Sequence, residues 1–169
     1  LVSTSLIASD KLDTNDYLFF FKHLVFILLG LIIIFFLSSI DKKKLLKFSI
    51  IIFIISLFFL ILVPLIGVEV KGSKRWIDIY LLPRFQPIEL VKPFLIIILS
   101  LILTNQKYTN LNIKYLSSFL ITLGVALLLA IQPDLGQTFL VFFSWSILIF
   151  ISGISIIFLI ILFISLIFL

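Results

Sequence analysis

Long apolar runs broken by short polar islands set the pattern of this chain. A helix that crosses a bilayer needs about 20 predominantly apolar residues, within a range of about 17–25. By that measure spans are predicted at about Tyr17–Ile40, Phe48–Gly67, Pro87–Thr104, Tyr115–Ile131, Leu135–Ile151 and Ile154–Leu169. Leu1–Ile7 reads as the tail of a further span. The islands are Ala8–Asp16, the basic turn Asp41–Lys47, the polar and aromatic loop Val68–Phe85, then Asn105–Lys114, Gln132–Asp134 and the tight turn Ser152-Gly153. The runs are apolar on every face, whereas the strands of a membrane barrel alternate polar and apolar residues. Backbone groups in lipid must also be satisfied within the segment. The expected fold class is therefore all-α, a polytopic transmembrane helix bundle. It forms a single integral membrane domain over residues 1–169, with no soluble domain, internal repeat or disordered linker.

Composition agrees. The chain is 63% hydrophobic and 12% charged, about half the charge of an ordinary soluble domain. Its mean hydropathy is +1.39. With no Cys there is no disulfide, thiolate chemistry or Cys-based metal site. The lone histidine, His23, sits beside Lys22 near the start of a span and is assigned no chemistry. The chain has no Met, begins at Leu1 and is still apolar at Leu169, which reads as a piece of a longer protein. No charged start followed by a small-residue cleavage site is present.

The net charge of +5 does not point to nucleic acid, because the basic residues lie in short loops between apolar runs. They suit anionic lipid headgroups or an anionic lipid-linked substrate. Lys42, Lys43, Lys44, Lys47, Lys107 and Lys114 fall on one side of the membrane; Lys11, Lys22, Lys71, Lys74, Arg75 and Arg84 fall on the other. The positive-inside rule gives no orientation from such a tie. A non-cytoplasmic loop holding Lys71, Lys74, Arg75 and Arg84 works against the usual bias, and an anionic ligand is a physical reason for it.

Three islands carry candidate chemistry. Glu89 and Lys92 lie three apart, so they share a helix face. Pro87 suits a first helical turn and Glu89 complements the helix dipole there. A capping carboxylate with a snorkelling lysine is one reading; an ion pair lining a polar cavity is the other. Ionisable groups at membrane depth are costly and mark functional sites by default. Asp134, after Pro133, reads either as a cap or as a third member of that set, since two intervening spans return the chain to the same side. Arg75-Trp76, with Lys71 and Lys74, suits a phosphate next to a saccharide or lipid chain, or an interfacial belt. Trp145 reads as packing. Gly30, Gly124 and Gly153 are candidates for close helix approach. No phosphate-binding glycine loop, nucleophile elbow or HExxH motif is present.

Lys71-Gly72-Ser73-Lys74-Arg75-Trp76-Ile77, Gln86-Pro87-Ile88-Glu89-Leu90-Val91-Lys92-Pro93 and Gln132-Pro133-Asp134-Leu135-Gly136-Gln137-Thr138, in that order and spacing, resemble the signatures of the SEDS family, the FtsW/RodA peptidoglycan polymerases. The resemblance covers essentially the whole chain, with Ile88 standing where the family usually has Ser or Ala. Gly67–Gly72, Lys92-Pro93-Phe94 and Gly136-Gln137-Thr138 resemble the FtsW branch more than RodA. The resemblance implies a ten-helix fold, of which this is a fragment. Asp41–Lys47 would be cytoplasmic and Val68–Phe85 periplasmic, in the bacterial inner membrane at the division septum. It implies glycosyl transfer, in which lipid II is polymerised into glycan with release of undecaprenyl pyrophosphate. The family's catalytic aspartate lies in a large loop after the seventh helix, beyond this chain, so Asp134 is not it and no catalytic residue is expected here.

What the resemblance places in this chain is Arg75, Trp76, Glu89, Lys92 and Asp134 as a substrate-binding or cavity set; Lys71, Lys74 and Gln86 complete the candidates. The cations would stabilise the leaving diphosphate. Glu89 and Asp134 would hold the cations or bind a divalent cation. The partners implied are lipid II, a class B penicillin-binding protein and other divisome proteins. A RodA-like elongation polymerase, a lipid II flippase and a non-catalytic divisome scaffold are the competing roles.

Overall fold

This computed structural model describes residues 18–70, 72–78, 84–105 and 110–154. The expected tail of a span at residues 1–7, the span at 154–169 beyond Ile154, and Lys71 lie outside them. The described elements are α1 (Leu18–Ser38), α2 (Lys42–Ile66), β1 (Val68–Val70), β2 (Ser73–Trp76), α3 (Pro87–Thr104), α4 (Leu111–Ile131) and α5 (Leu135–Ile151). The chain divides into two compact units, residues 1–45 and 46–169. Stretches of four helices are long and apolar enough to cross a membrane: Phe20–Ser38, Lys42–Ile66, Pro87–Thr104 and Leu111–Ile131. α5 is apolar and 17 residues long. The protein is a multi-pass membrane protein of helical fold.

Helix ends follow local chemistry. α2 starts at Lys42, ahead of the Phe48 that hydropathy alone marks, because lysine is a good helix former whose long stem keeps its ammonium in water. α4 starts at Leu111 rather than Tyr115, since the Asn110 side chain caps it by accepting from the Asn112 amide at 3.0 Å. Lys114 donates to the Leu103 carbonyl at 3.3 Å, satisfying an acceptor in the last turn of α3. α2 ends at Gly67, where an added Cβ would collide with the Val63 carbonyl oxygen.

The loop after α2 is an antiparallel hairpin, β1 on β2, not an irregular segment. Val70 pairs with Ser73, so two residues close it, and Gly72 takes φ +80°, a conformation that favours glycine. The hairpin continues to an isolated bridge between Ile77 and Phe85. The Phe85 ring meets Phe59 of α2 edge-on at 5.8 Å. Arg84 pairs with Asp78 at 2.9 Å.

The core of the second unit lies among α2, α3, α4 and α5. It holds Phe53 and Leu60, then Ile88, Val91, Leu95 and Leu99, then Val125 and Leu129, then Val141, Trp145 and Ile149. Spacings of three, four and seven put each set on one helix face. Lipid is as apolar as leucine, so hydrophobicity does not choose that face; close packing and hydrogen bonding do. Small hydroxyl residues accordingly share it: Ser49, Ser56, Ser118, Thr122 and Ser146 are all buried. Several bond back into their own helix, as Thr122 does to the Ser118 carbonyl at 2.9 Å. Trp145 packs on Phe119 at 5.4 Å and donates Nε1 to Ser118 Oγ at 3.1 Å, a polar link within a packing contact. Gly30, Gly124 and Gly153 do not mark close helix approach among the described residues: a Cβ on any of them would meet nothing within 4 Å.

Candidate functional site

Three chain segments converge at the hairpin end of the second unit: β2, the start of α3, and the α4–α5 turn. Asp134 is their junction. It is buried, and it is the N-cap of α5, with Oδ1 accepting from the Gln137 amide at 3.4 Å. Oδ2 faces Arg75 Nε at 3.6 Å and accepts from Gln86 Nε2 at 3.3 Å. Capping and ion pairing are thus not alternatives; the two carboxylate oxygens divide the tasks. Arg75 also donates Nη2 to the Pro133 carbonyl at 3.0 Å. Its Nε is buried with no hydrogen-bond partner, so only Coulomb attraction to Asp134 compensates it. Gln86 is free to reach Asp134 because it precedes Pro87: the helix start loses one orphan N–H to the proline, and the Gln86 side chain makes no cap bond.

Gln137 links this cluster to a second one. Asp134-Leu135-Gly136-Gln137 has capping-box spacing, which would send the Gln137 side chain back to the Asp134 N–H. That N–H instead donates to the Leu129 carbonyl at 3.1 Å. Gln137 turns to α3. Its Oε1 accepts from Lys92 Nζ at 3.0 Å, and its Nε2 donates to Glu89 Oε1 at 3.4 Å. Lys92 also donates to Glu89 Oε1 at 2.8 Å, closing a three-membered ring. The Lys92 side chain is 19% exposed and that of Glu89 55%, so Lys92 is not a snorkelling residue; its ammonium is held by two protein acceptors.

The structure thus brings together Arg75, Gln86, Glu89, Lys92 and Asp134. Lys74 is exposed and stands opposite Glu69 across the hairpin; Trp76 is half-buried and pairs with Val68. Neither is bonded to the network. Lys74 and Glu69 line a cavity of about 260 Å³ with Pro64, Gly72, Ser73 and the Ile131–Pro133 turn. Residues 71–77 and 86–93 stand out in the sequence by their charge, whereas Gln132 and Gln137 do not. The available signal for Gln137 is its position three residues after a cap. Glu89 accepts from Lys92 and Gln137, and Asp134 accepts from Gln86 and the Gln137 amide while facing Arg75. Among the described residues no group of three His, Cys, Asp or Glu could hold a metal ion.

Apolar helices with a fixed ionic network at one end define a polytopic membrane protein with a polar site at helix termini. The family model described as Cell cycle protein, of FtsW, RodA and SpoVE, matches residues 1–169, and the chain belongs to that family. It is similar to the probable peptidoglycan glycosyltransferase FtsW of Haemophilus influenzae, 32% identical over 90% of this chain and 39% of that protein. It is also similar to the putative peptidoglycan glycosyltransferase FtsW of Cyanophora paradoxa, 37% identical over 80% of this chain and 34% of that protein. Among solved structures it is similar to a chain of a peptidoglycan synthase complex that coordinates polymerization and crosslinking. That match has a TM-score of 0.75 and 30% identity, over 86% of this chain and 43% of the other. The rod shape determining protein RodA of Thermus thermophilus gives a TM-score of 0.75 at 28% identity, over 98% of this chain and 54% of RodA. The chain spans about two fifths of the length of the first curated relatives it matches.

Proposed function

We propose that this chain is part of a peptidoglycan glycosyltransferase that polymerises lipid II during cell division, as the names of its FtsW relatives suggest. The observation that carries the reading is the bonded network Arg75–Asp134–Gln137–Glu89–Lys92. In the proposed reaction a hydroxyl of one disaccharide attacks the anomeric carbon of another. The bond from that carbon to the diphosphate oxygen breaks, and the electron pair leaves with the polyprenyl diphosphate. The attacking hydroxyl gives its proton to a base. The task assigned to the residues of this chain is to stabilise the diphosphate, not to act as that base.

Lys92 has three N–H donors, of which two are engaged, and Arg75 keeps N–H groups beyond those facing Pro133 and Asp134. Carboxylates that hold both cations in place before substrate arrives reduce the reorganisation that stabilisation would otherwise need. The four network charges sum to zero, so attraction of an anion falls to Lys74 and Lys71. The hairpin end is proposed to face the periplasm of the inner membrane at the septum, with a class B penicillin-binding protein as partner.

The test is lipid II polymerisation by the full-length protein with its partner, wild type against Glu89→Gln. A folded variant that makes little glycan supports the reading. A well-folded wild type that makes none sinks it and leaves transport or scaffolding.

A further inference from the structure

Pro64 sits inside α2 and has no backbone N–H. The carbonyl of Leu60, four residues earlier, therefore lacks its helical donor. Leu60 is fully buried, at 0% exposure. An unsatisfied carbonyl in such a place is expensive, more so where no water reaches it. Gln132, also buried at 3%, donates Nε2 to that carbonyl at 3.1 Å. The acceptor that the proline orphans is thus satisfied from the other side of the core, by a residue 72 positions away in sequence.

The donor's location gives the bond its consequence. Gln132 is the C-cap of α4, and its own N–H donates to the Leu129 carbonyl at 3.0 Å. Two residues later comes Asp134, whose oxygens face Arg75, Gln86 and the Gln137 amide. The turn 132–134 is therefore tied to α2 by a side-chain bond to the carbonyl that Pro64 leaves without its helical donor. We infer that Gln132 is a positioning residue: it pins the α4–α5 turn to the proline break in α2 and so sets where Asp134 meets Arg75. Gln132 is buried with one of its two Nε2 donors engaged by this bond, so the role inferred for it is exercised through Asp134 rather than on substrate. The catalytic consequence rests on the glycosyl-transfer reading; the bond and its effect on the turn do not.

The two partners allow a clean cycle in the full-length protein. Gln132→Leu leaves the Leu60 carbonyl unsatisfied and lowers Tm by about 3–6 °C. Pro64→Ala restores the helical N–H, so the double variant recovers most of that loss. If Gln132→Leu lowers Tm equally with and without Pro64→Ala, the coupling is overturned. In the double variant the turn remains untied, so hydrogen exchange at the Gln137 and Thr138 amides stays faster than in wild type, and glycan output stays roughly tenfold or more below it. A double variant that recovers Tm, exchange and glycan output together overturns the positioning role and leaves a stabilising bond. A wild type that makes no glycan removes the polymerase reading alone; the Tm cycle and the exchange rates still decide the rest.

Discussion

Two groups of cations, one at the start of α2 and one in the segments that follow it, meet opposite fates. At its start, Lys42, Lys43, Lys44 and Lys47 are all exposed and make no ion pair among the described residues. Beyond its last turn, Arg75 is drawn to Asp134 and the Pro133 carbonyl, and Lys92 to Glu89 and Gln137. Counting charges gives the two sides of the membrane equal weight. Bonding does not. A lysine that ends in water contributes little beyond attraction to headgroups, whereas a cation held by two protein groups has a fixed position and unused donors. Fixed position is what charge stabilisation in a reaction requires.

The sharpest way to break the comparison is Asp134→Ala. It removes a helix cap and leaves the buried Arg75 Nε facing nothing. The expected cost is about 2–3 kcal/mol, discounted because the Arg75 side chain is 35% exposed. Thermal unfolding measures it, and under the proposed function glycan synthesis by the full-length protein should fall by about a thousandfold. Next is Lys92→Met, which keeps the side-chain bulk: output should drop about a hundredfold with Tm nearly unchanged. Gln137→Ala removes the link between the two clusters, and an intermediate loss of about tenfold is expected in the same assay. The smallest effect belongs to the other end. Lys42, Lys43 and Lys44 changed together to Ala should alter glycan output by less than about twofold. A large loss there, with intact folding, would show that exposed lysines matter as much as bonded ones.

Much of the helical framework is legible in the sequence. α3 and α5 run from Pro87 and Leu135 as the proline and the cap-forming aspartate require. The convergence of Arg75, Glu89, Lys92 and Asp134 at one end is in keeping with two intervening spans of similar length. What hydropathy hides is which face of each helix is buried, because every face is apolar. The signal is there in another form: Ser49, Ser56, Ser118, Thr122 and Ser146 lie on the buried stripes, and hydroxyls avoid lipid. Gln132 and Gln137 fall within the third motif, but their roles are not legible there because an uncharged amide carries no mark of its partner. The value of each depends on a bond made elsewhere, at the Pro64 break and at the Asp134 N–H. Reading Val68–Phe85 for charge conceals the hairpin, whose strand cues are the alternation of Val68-Glu69-Val70 and the glycine at position 72.

That hairpin gives the site two clocks. A two-stranded ribbon is marginal by itself, and this one rests on the Arg75 contacts and the Phe85–Phe59 ring pair. Its amides should open on the time scale of local fluctuations, while those of α3 and α5 open only with the bundle. One half of the charge network is therefore carried on a fast-opening element and the other on a slow one. A ligand that bridges Arg75 and Lys92 joins the two, and its first kinetic trace is the slowing of the Glu69 and Lys74 amides toward the rate of the helices.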